Sequence, residues 1–305
     1  MTSVAAMERE RVLGDAPAAL AAKPRSLVEV WPVIATLTAA FVLTQEARYA
    51  ERVAALLQAW FVEPATRLPA VPQVDRNGLE TILPLAEVAR AVTLLVDALP
   101  EATLAGVNAS FAATLGWLTT APEAMIARDT KDHRASMWLL LVAALARGQR
   151  NELVLDDCRH RFRRPTLRNQ IDAQGRFPQE MATVNPYRNT LFNFDLLCGA
   201  CQLLDTAFDE LWLFELPDGP GMRTVSAFVY PVIAEPETWP GVADAEHFRD
   251  LPGRRPGLLF AGRAYKRAEY VALWASTPHV IAAGVAGSFP IREPLLWVTR
   301  AGHGF

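Results

Sequence analysis

From Ala135 to Ala146 the chain reads ASMWLLLVAALA, without one charged side chain and apolar on every face of a helix. Such a segment has no side to turn to water, so other elements must enclose it. Leu27 to Thr44 is a second, almost wholly apolar segment. Its uncharged run, Val30 to Gln45, is short and contains Pro32 and several Thr, which predicts a core helix and not a membrane span. Amphipathic segments alternate with these. Glu8 to Ala22 is closed by Lys23-Pro24, and in Arg48 to Phe61 the residues Tyr49, Val53, Leu56, Leu57, Trp60 and Phe61 recur at helical spacing on one face.

Further helices are predicted at 80–98, 101–120, 133–147, 151–170, 189–207, 222–233 and 257–274. Turns are expected at Pro100, Ala121-Pro122, Gly148, Gly175, Pro217 to Pro220 and Pro252-Gly253, and a loop at Pro64 to Pro72. No stretch alternates as a strand would, and Ala and Leu dominate a composition that is 51% apolar. The expectation is an all-α protein, a single domain over 1–305, with buried inner helices and amphipathic outer ones: an (α/α) toroid or a related bundle.

The formal net charge of −3 supplies no global field for a polyanion, so nucleic acid is not an expected partner and any anionic ligand needs a local basic patch. The densest basic run, Arg159, His160, Arg161, Arg163, Arg164 and Arg168, is most simply a solvated helix face. Cys158, Cys198 and Cys201 are too few for a disulfide framework and are expected as small core residues. No metal ligand set or cofactor motif stands out. The first twenty residues lack an apolar core behind a basic start, so no signal peptide and no membrane anchor are expected in this chain.

In a two-layer helical fold, polar residues at the starts of buried helices are the place to look for function, because the unpaired N–H groups and the helix dipole there attract anions. Lys131, Asp132, His133 and Arg134 precede one such helix; Asn185, Pro186, Tyr187, Arg188 and Asn189 precede another.

These stretches, together with Trp60, Phe61, Glu63, Pro64, Ala65, Thr66 and Arg67, resemble the alginate lyase family of polysaccharide lyases. KDHRASMW is similar to the family's Asn-Asn-His segment, with His133 in the His place. QGRFPQEMATVNPYRNTLFNFDLL resembles a second family segment through Gly175, Pro178, Glu180, Asn185, Leu191, Phe192 and Asn193. The resemblance spans roughly residues 8 to 300 and implies an incomplete (α/α) toroid of antiparallel helix pairs. It also implies an anionic polysaccharide or oligosaccharide as partner, no obligatory cofactor, and a periplasmic or secreted setting. Of the family's catalytic positions only His133 is kept: the Tyr aligns with Asn189, the Arg with Thr183 and the carboxylate-neutralising Asn with Asp132.

The implied reaction is β-elimination on a 4-linked uronate. A base removes the C5 proton, the carboxylate takes up the charge, and an acid protonates the departing O4. Because the proton lies beside a carboxylate anion, that anion must first be neutralised. An ionised Asp132 works against this unless it is protonated or turned onto Lys131 or Arg134. His133 can be the base or, protonated, a donor to the sugar carboxylate; a helix N-terminus favours the neutral form. The alternative is a helix cap. Tyr187 and Arg188 stand next to the vacant Tyr position, and a Tyr base needs a cation to lower a pKa of about 10, for which Arg188 is the candidate. The alternative is Tyr187 packed on Pro186 with Arg188 solvated.

Arg67 can grip a carboxylate with two parallel hydrogen bonds. With Lys131, Arg134, Asn185, Asn189 and Trp60 it completes the expected substrate contacts. Two rivals remain: a carbohydrate-binding or structural toroid without catalysis, and a glycoside hydrolase using the carboxylates Glu180 and Asp195.

Overall fold

The computed structural model describes residues 4–69, 78–244, 248–249, 251–279 and 283–298. In chain order the α-helices are α1 Val4–Ala21, α2 Leu27–Thr44, α3 Ala47–Leu57, α4 Gly78–Ile82, α5 Leu85–Leu94, α6 Glu101–Thr120, α7 Pro122–Arg128, α8 His133–Gly148, α9 Glu152–Arg161, α10 Leu167–Gln170, α11 Pro178–Met181, α12 Pro186–Leu204, α13 Met222–Ala234, α14 Pro256–Ala264, α15 Ala268–Ser276 and α16 Leu295–Val298. Among the described residues there is no β-strand, only an isolated bridge between Glu215 and Gly221.

Proline accounts for most departures from the predicted boundaries. The expected 80–98 helix is two, α4 and α5, parted at Leu83-Pro84, where the ring removes an N–H and clashes with the preceding turn. Pro122, expected in a turn, opens α7, a first-turn position for which its fixed φ is suited. In the expected 151–170 helix, Pro165 lies in a π turn, Phe162–Thr166, between α9 and α10. The expected 257–274 helix breaks between α14 and α15, where Lys266 takes φ 55°. A second π turn, Gln58–Val62, follows α3. The loop expected at 64–72 is turn and coil through residue 69; the rest lies outside the described residues.

The described residues gather into two compact units. The first draws on Met1–Met125, Ala144–Glu152 and Arg292–Phe305. In it α2 packs on α1, α3 and α5. Ser26 caps α2 by accepting from Glu29 N, and Glu29 in turn accepts from Arg25 N at 2.8 Å, which pairs two otherwise orphaned donors. Although α2 is long and apolar enough by composition to cross a membrane, it buries Val30, Trp31, Ile34 and Leu37 in this unit. At their centre is Glu87 of α5, fully buried. It accepts hydrogen bonds from the indole N–H groups of Trp31 and Trp297 and from the backbone N–H of Arg292 (3.1 Å) and Glu293 (2.9 Å). Burial pushes its carboxyl above the ordinary range, against the pull of these four donors. Arg11 of α1 binds both Glu8 and Glu293.

The second unit draws on Ile126–Ala143 and Leu153–Ile291. Here α12 is buried along nearly its whole length and packs on α11, α13 and α14. Asp195 of α12 and Arg255 form a fully buried ion pair at 3.0 Å, and the same carboxylate accepts from Gly257 N. Cys198 and Cys201 of α12 and Cys158 of α9 are buried as packing residues, and burial raises all three thiols, Cys158 to about 12.

Replacing Glu87 with Ala leaves two indole and two backbone donors unpaired, and each buried orphan is costly. We expect Glu87→Ala to destabilise the protein by about 3–5 kcal/mol, and Glu87→Gln, which keeps one acceptor oxygen but turns an NH2 toward two of the donors, also to destabilise it, measured by denaturant unfolding; a loss below about 1 kcal/mol in both variants would show that the acceptor role of Glu87 is unimportant.

Candidate functional site

The site is built around one carboxylate, Glu180, and a turn delivers it. Asp172 Oδ1 accepts from Gln174 N (2.9 Å) and Arg176 N (3.0 Å), closing the chain on itself. Gly175 has φ 78°, and a Cβ on it would meet the Thr224 carbonyl oxygen at 2.5 Å, so only glycine fits. Immediately beyond, Pro178 starts the short α11 with Glu180 pointing inward, fully buried.

Glu180 joins three elements. Its Oε1 accepts from the backbone N of His133 at 2.5 Å, its Oε2 faces His133 Nδ1 at 2.9 Å, and Asn193 Nδ2 of α12 donates to Oε1 at 3.1 Å. Asn193 also donates to Gln170 Oε1 (2.8 Å), which accepts from Ser136 Oγ as well. A carboxylate oxygen facing Nδ1 calls for a proton on that nitrogen, so the lone pair of the neutral ring sits on Nε2. The imidazole is largely buried and meets Phe192 edge-on at 5.8 Å.

Asp132 is turned onto Arg134. Its carboxylate accepts from Arg134 N (3.0 Å), Nε and Nη2 (2.7 Å) and from Thr130 Oγ1 (2.9 Å). It is therefore the N-cap of α8. Burial alone would raise its pKa, but the Arg134 and Thr130 hydrogen bonds outweigh it and hold the carboxyl below the usual range. Arg134, half-exposed, is engaged by the same pair, and Lys131 is exposed.

The two residues that the sequence resemblance aligns with the family's Tyr and Arg meet. Asn189 Nδ2 donates to Thr183 Oγ1 at 3.1 Å, and Thr183 Oγ1 donates to the Glu180 carbonyl at 2.6 Å. His133, Glu180, Thr183 and Asn189 thus form one connected group. Tyr187 stands apart from it. Its ring is fully buried against Trp239 and Phe248, its hydroxyl donates to Val232 O at 2.6 Å, and burial raises its pKa instead of Arg188 lowering it. Arg188 is not solvated either: its Nε donates to Ser288 Oγ at 2.8 Å. Asn185 is the half-buried N-cap of α12 and makes no side-chain cap bond.

The caps also change what these helix starts can offer. At α12, Asp244 accepts from Tyr187 N (3.0 Å) and Arg188 N (2.8 Å). At α8, Asp132 and Glu180 take the first N–H groups. Internal carboxylates fill both positions where the sequence suggests a ligand anion. Trp60, in the first unit's π turn, is half-buried, and Arg67 is exposed there, its N–H bound to Glu63 O. The carboxylates considered for hydrolysis, Glu180 and Asp195, are both fully buried on internal donors. Among the described residues no group of three or more His, Cys, Asp or Glu could hold a metal ion.

A family model described as "Alginate lyase" matches residues 8–239. Among solved structures the chain is similar to a crystal structure of an alginate lyase from Bacteroides ovatus, at a TM-score of 0.77 and 20% identity, over 90% of this chain and 74% of that one. At that identity the likeness carries the fold alone, and it agrees with the incomplete (α/α) toroid class expected from the sequence. A search of curated proteins finds no match.

Removing the α8 cap tests the reading of Asp132. Asp132→Ala is expected to cost about 1 kcal/mol. In linkage terms, a carboxyl with a lowered folded pKa stabilises fully above its unfolded value of about 3.9 and loses that contribution as pH falls through the folded value. Asp132→Asn keeps an acceptor for Arg134 N, so its melting temperature should decline less than the wild type's on acidification below about pH 4. Parallel acid profiles would refute the assignment.

Proposed function

Because the chain belongs to the alginate lyase family, we propose that it is a polysaccharide lyase cleaving a uronate-containing polymer by β-elimination. The observation that carries the mechanism is the hydrogen bond between His133 Nδ1 and the buried Glu180 carboxylate. It orients the ring, sets the tautomer, and stabilises the imidazolium that forms when Nε2 takes a proton.

His133 is the base in this reading. Nε2 removes the C5 proton, and the electron pair left on C5 is delocalised into the sugar carboxylate. That pair then forms the C4=C5 double bond as the C4–O4 bond breaks. The imidazolium returns its proton to the departing O4, so one residue serves both transfers and no Tyr is required. Asn189, half-buried beside Thr183, is the uncharged donor assigned to the sugar carboxylate, with the exposed Lys131 adding positive charge. Asp132 takes no part, since Arg134 holds it as a helix cap. Tyr187 is a core residue, and Arg188 braces Ser288. Asn185, half-buried at the start of α12, is assigned to a contact with the polymer.

One observation favours a second reading, a carbohydrate-binding protein without turnover. The connected group holds Thr183 and Asn189, neither of them titratable, which the sequence resemblance aligns with the family's Arg and Tyr.

Incubation with a panel of polyuronates separates the two, because only elimination creates the ultraviolet absorbance of a 4,5-unsaturated uronate. The lyase reading expects that absorbance, reduced at least about 100-fold by His133→Ala. Binding without absorbance on any polymer would establish the second reading. Glu180→Gln keeps a hydrogen-bonding group but removes the charge that supports the imidazolium, so we expect a fall of about 10-fold or more in kcat and a displaced pH–rate profile. An unchanged profile would remove Glu180 from the mechanism.

A further inference from the structure

The basic run of α9 and α10 does not form a plain solvated face. It lines a cavity of about 800 Å³ in the second unit, with His160, Arg163, Arg164 and Arg168 on one side and Phe214 and Glu215 on the other. None of these residues belongs to the His133 group. The π turn at Pro165 explains the alignment. Residues four apart drift about 40° round a regular α-helix, and a wider turn takes up that drift, so His160, Arg164 and Arg168 come to share one wall. Opposite, the turn closed by Gly219 N on Leu216 O carries Asp218 and sets Phe214 beside Arg163, whose guanidinium lies 5.7 Å from the ring centroid.

The charges are arranged for exchange. Arg163 binds Asp209, Arg168 binds Asp218 at 2.5 Å, and Arg223 faces Glu215 at 3.6 Å. The Arg168 and Asp218 side chains are 49% and 63% exposed. Exposed pairs of this kind contribute little, so a ligand carboxylate can take the place of Asp218 at almost no cost. Arg164 is exposed, and among the described residues its guanidinium has no ion-pair or hydrogen-bond partner; its carbonyl accepts from Leu167 N.

We propose that this groove is an accessory subsite for an acidic oligosaccharide, in which Arg164 and Arg168 bind carboxylates on different sugar rings while Phe214 packs on a sugar face. The two guanidinium-bearing residues are four apart, about 6 Å along the axis. A compact anion such as phosphate wants its donors converged on one point. A spread row suits a chain with repeated carboxylates, and the single aromatic wall suits the apolar face of a ring. The volume lies within the range of small-ligand sites. That the oligosaccharide is a uronate rests on the lyase reading; that it is acidic rests on the basic lining of the groove.

The test uses the full chain carrying His133→Ala, so that the probe is not consumed. A 4-linked mannuronate hexasaccharide and its carboxyl-reduced, neutral counterpart are titrated calorimetrically. The double variant Arg164→Ala/Arg168→Ala should weaken hexamer binding at least about five-fold and lower its salt sensitivity. In the His133-containing enzyme the same pair should leave kcat on a short oligouronate unchanged. Both substituted side chains are exposed, and a Lys pair at the same positions, keeping charge without the planar fork, should recover part of the affinity. Hexamer affinity unchanged by the double variant, with turnover intact in the parent, would overturn the groove and leave the lyase reading standing. Groove-dependent binding with no turnover on any polyuronate would do the reverse. Equal binding of the neutral hexamer, or displacement by a single-stranded oligonucleotide of matched charge, would also overturn the assignment.

Discussion

A buried helix must begin somewhere, and its first N–H groups need acceptors that the helix itself cannot provide. Internal carboxylates meet this requirement repeatedly here. Asp132 and Glu180 receive those that open α8, Asp244 receives two at α12, and Glu87 meets the same need for the N–H groups of Arg292 and Glu293 in the coil that precedes α16. Each acceptor comes with a cost of desolvation, offset by several donors converging on one group. At α8 the same carboxylate that completes the helix also binds the imidazole of its first residue. A structural obligation and a chemical one thus fall on Glu180 together.

The fold was legible because its main signal is strong. ASMWLLLVAALA can only be enclosed, and α1, α2, α6, α8 and α13 lie close to where their periodicity places them. Boundaries were less legible wherever a single residue acts against the pattern. Pro84 splits an apolar run whose periodicity continues across it, and Lys266 turns the chain through a left-handed conformation that its own residue type does not announce. Pro165 leaves the helix axis continuous but widens one turn, an outcome that hydrophobic spacing cannot separate from an ordinary helix.

The site was legible in part. His133 stood out because it stands among polar residues at the start of an apolar helix and in the His place of the family resemblance, and the two ways of reconciling Asp132 with a neutralised sugar carboxylate included the one observed, a turn onto Arg134. The partner of His133, 47 residues away, lay inside the recognised segment yet carried no local sign of facing that ring. Tyr187 shows the opposite limit. Closeness to Asn189 in sequence suggested access to a groove, but residues two apart on a helix point about 200° apart, onto opposite faces, and Tyr187 points into the core. Asp244, 57 residues beyond Tyr187, had no local signal at all.

Long spacings of this kind have a temporal side. A chain made from its N-terminus presents α5 with Glu87 some two hundred residues before Arg292, Glu293 and Trp297 exist to donate to it. During that interval the carboxylate either stays hydrated or holds its unit open, and Arg11 waits longer still for Glu293, 282 residues on. The second unit has its own delay, shorter, between α12 and Asp244. Synthesis order and completion order are therefore reversed: the unit that is begun first is the one that closes last.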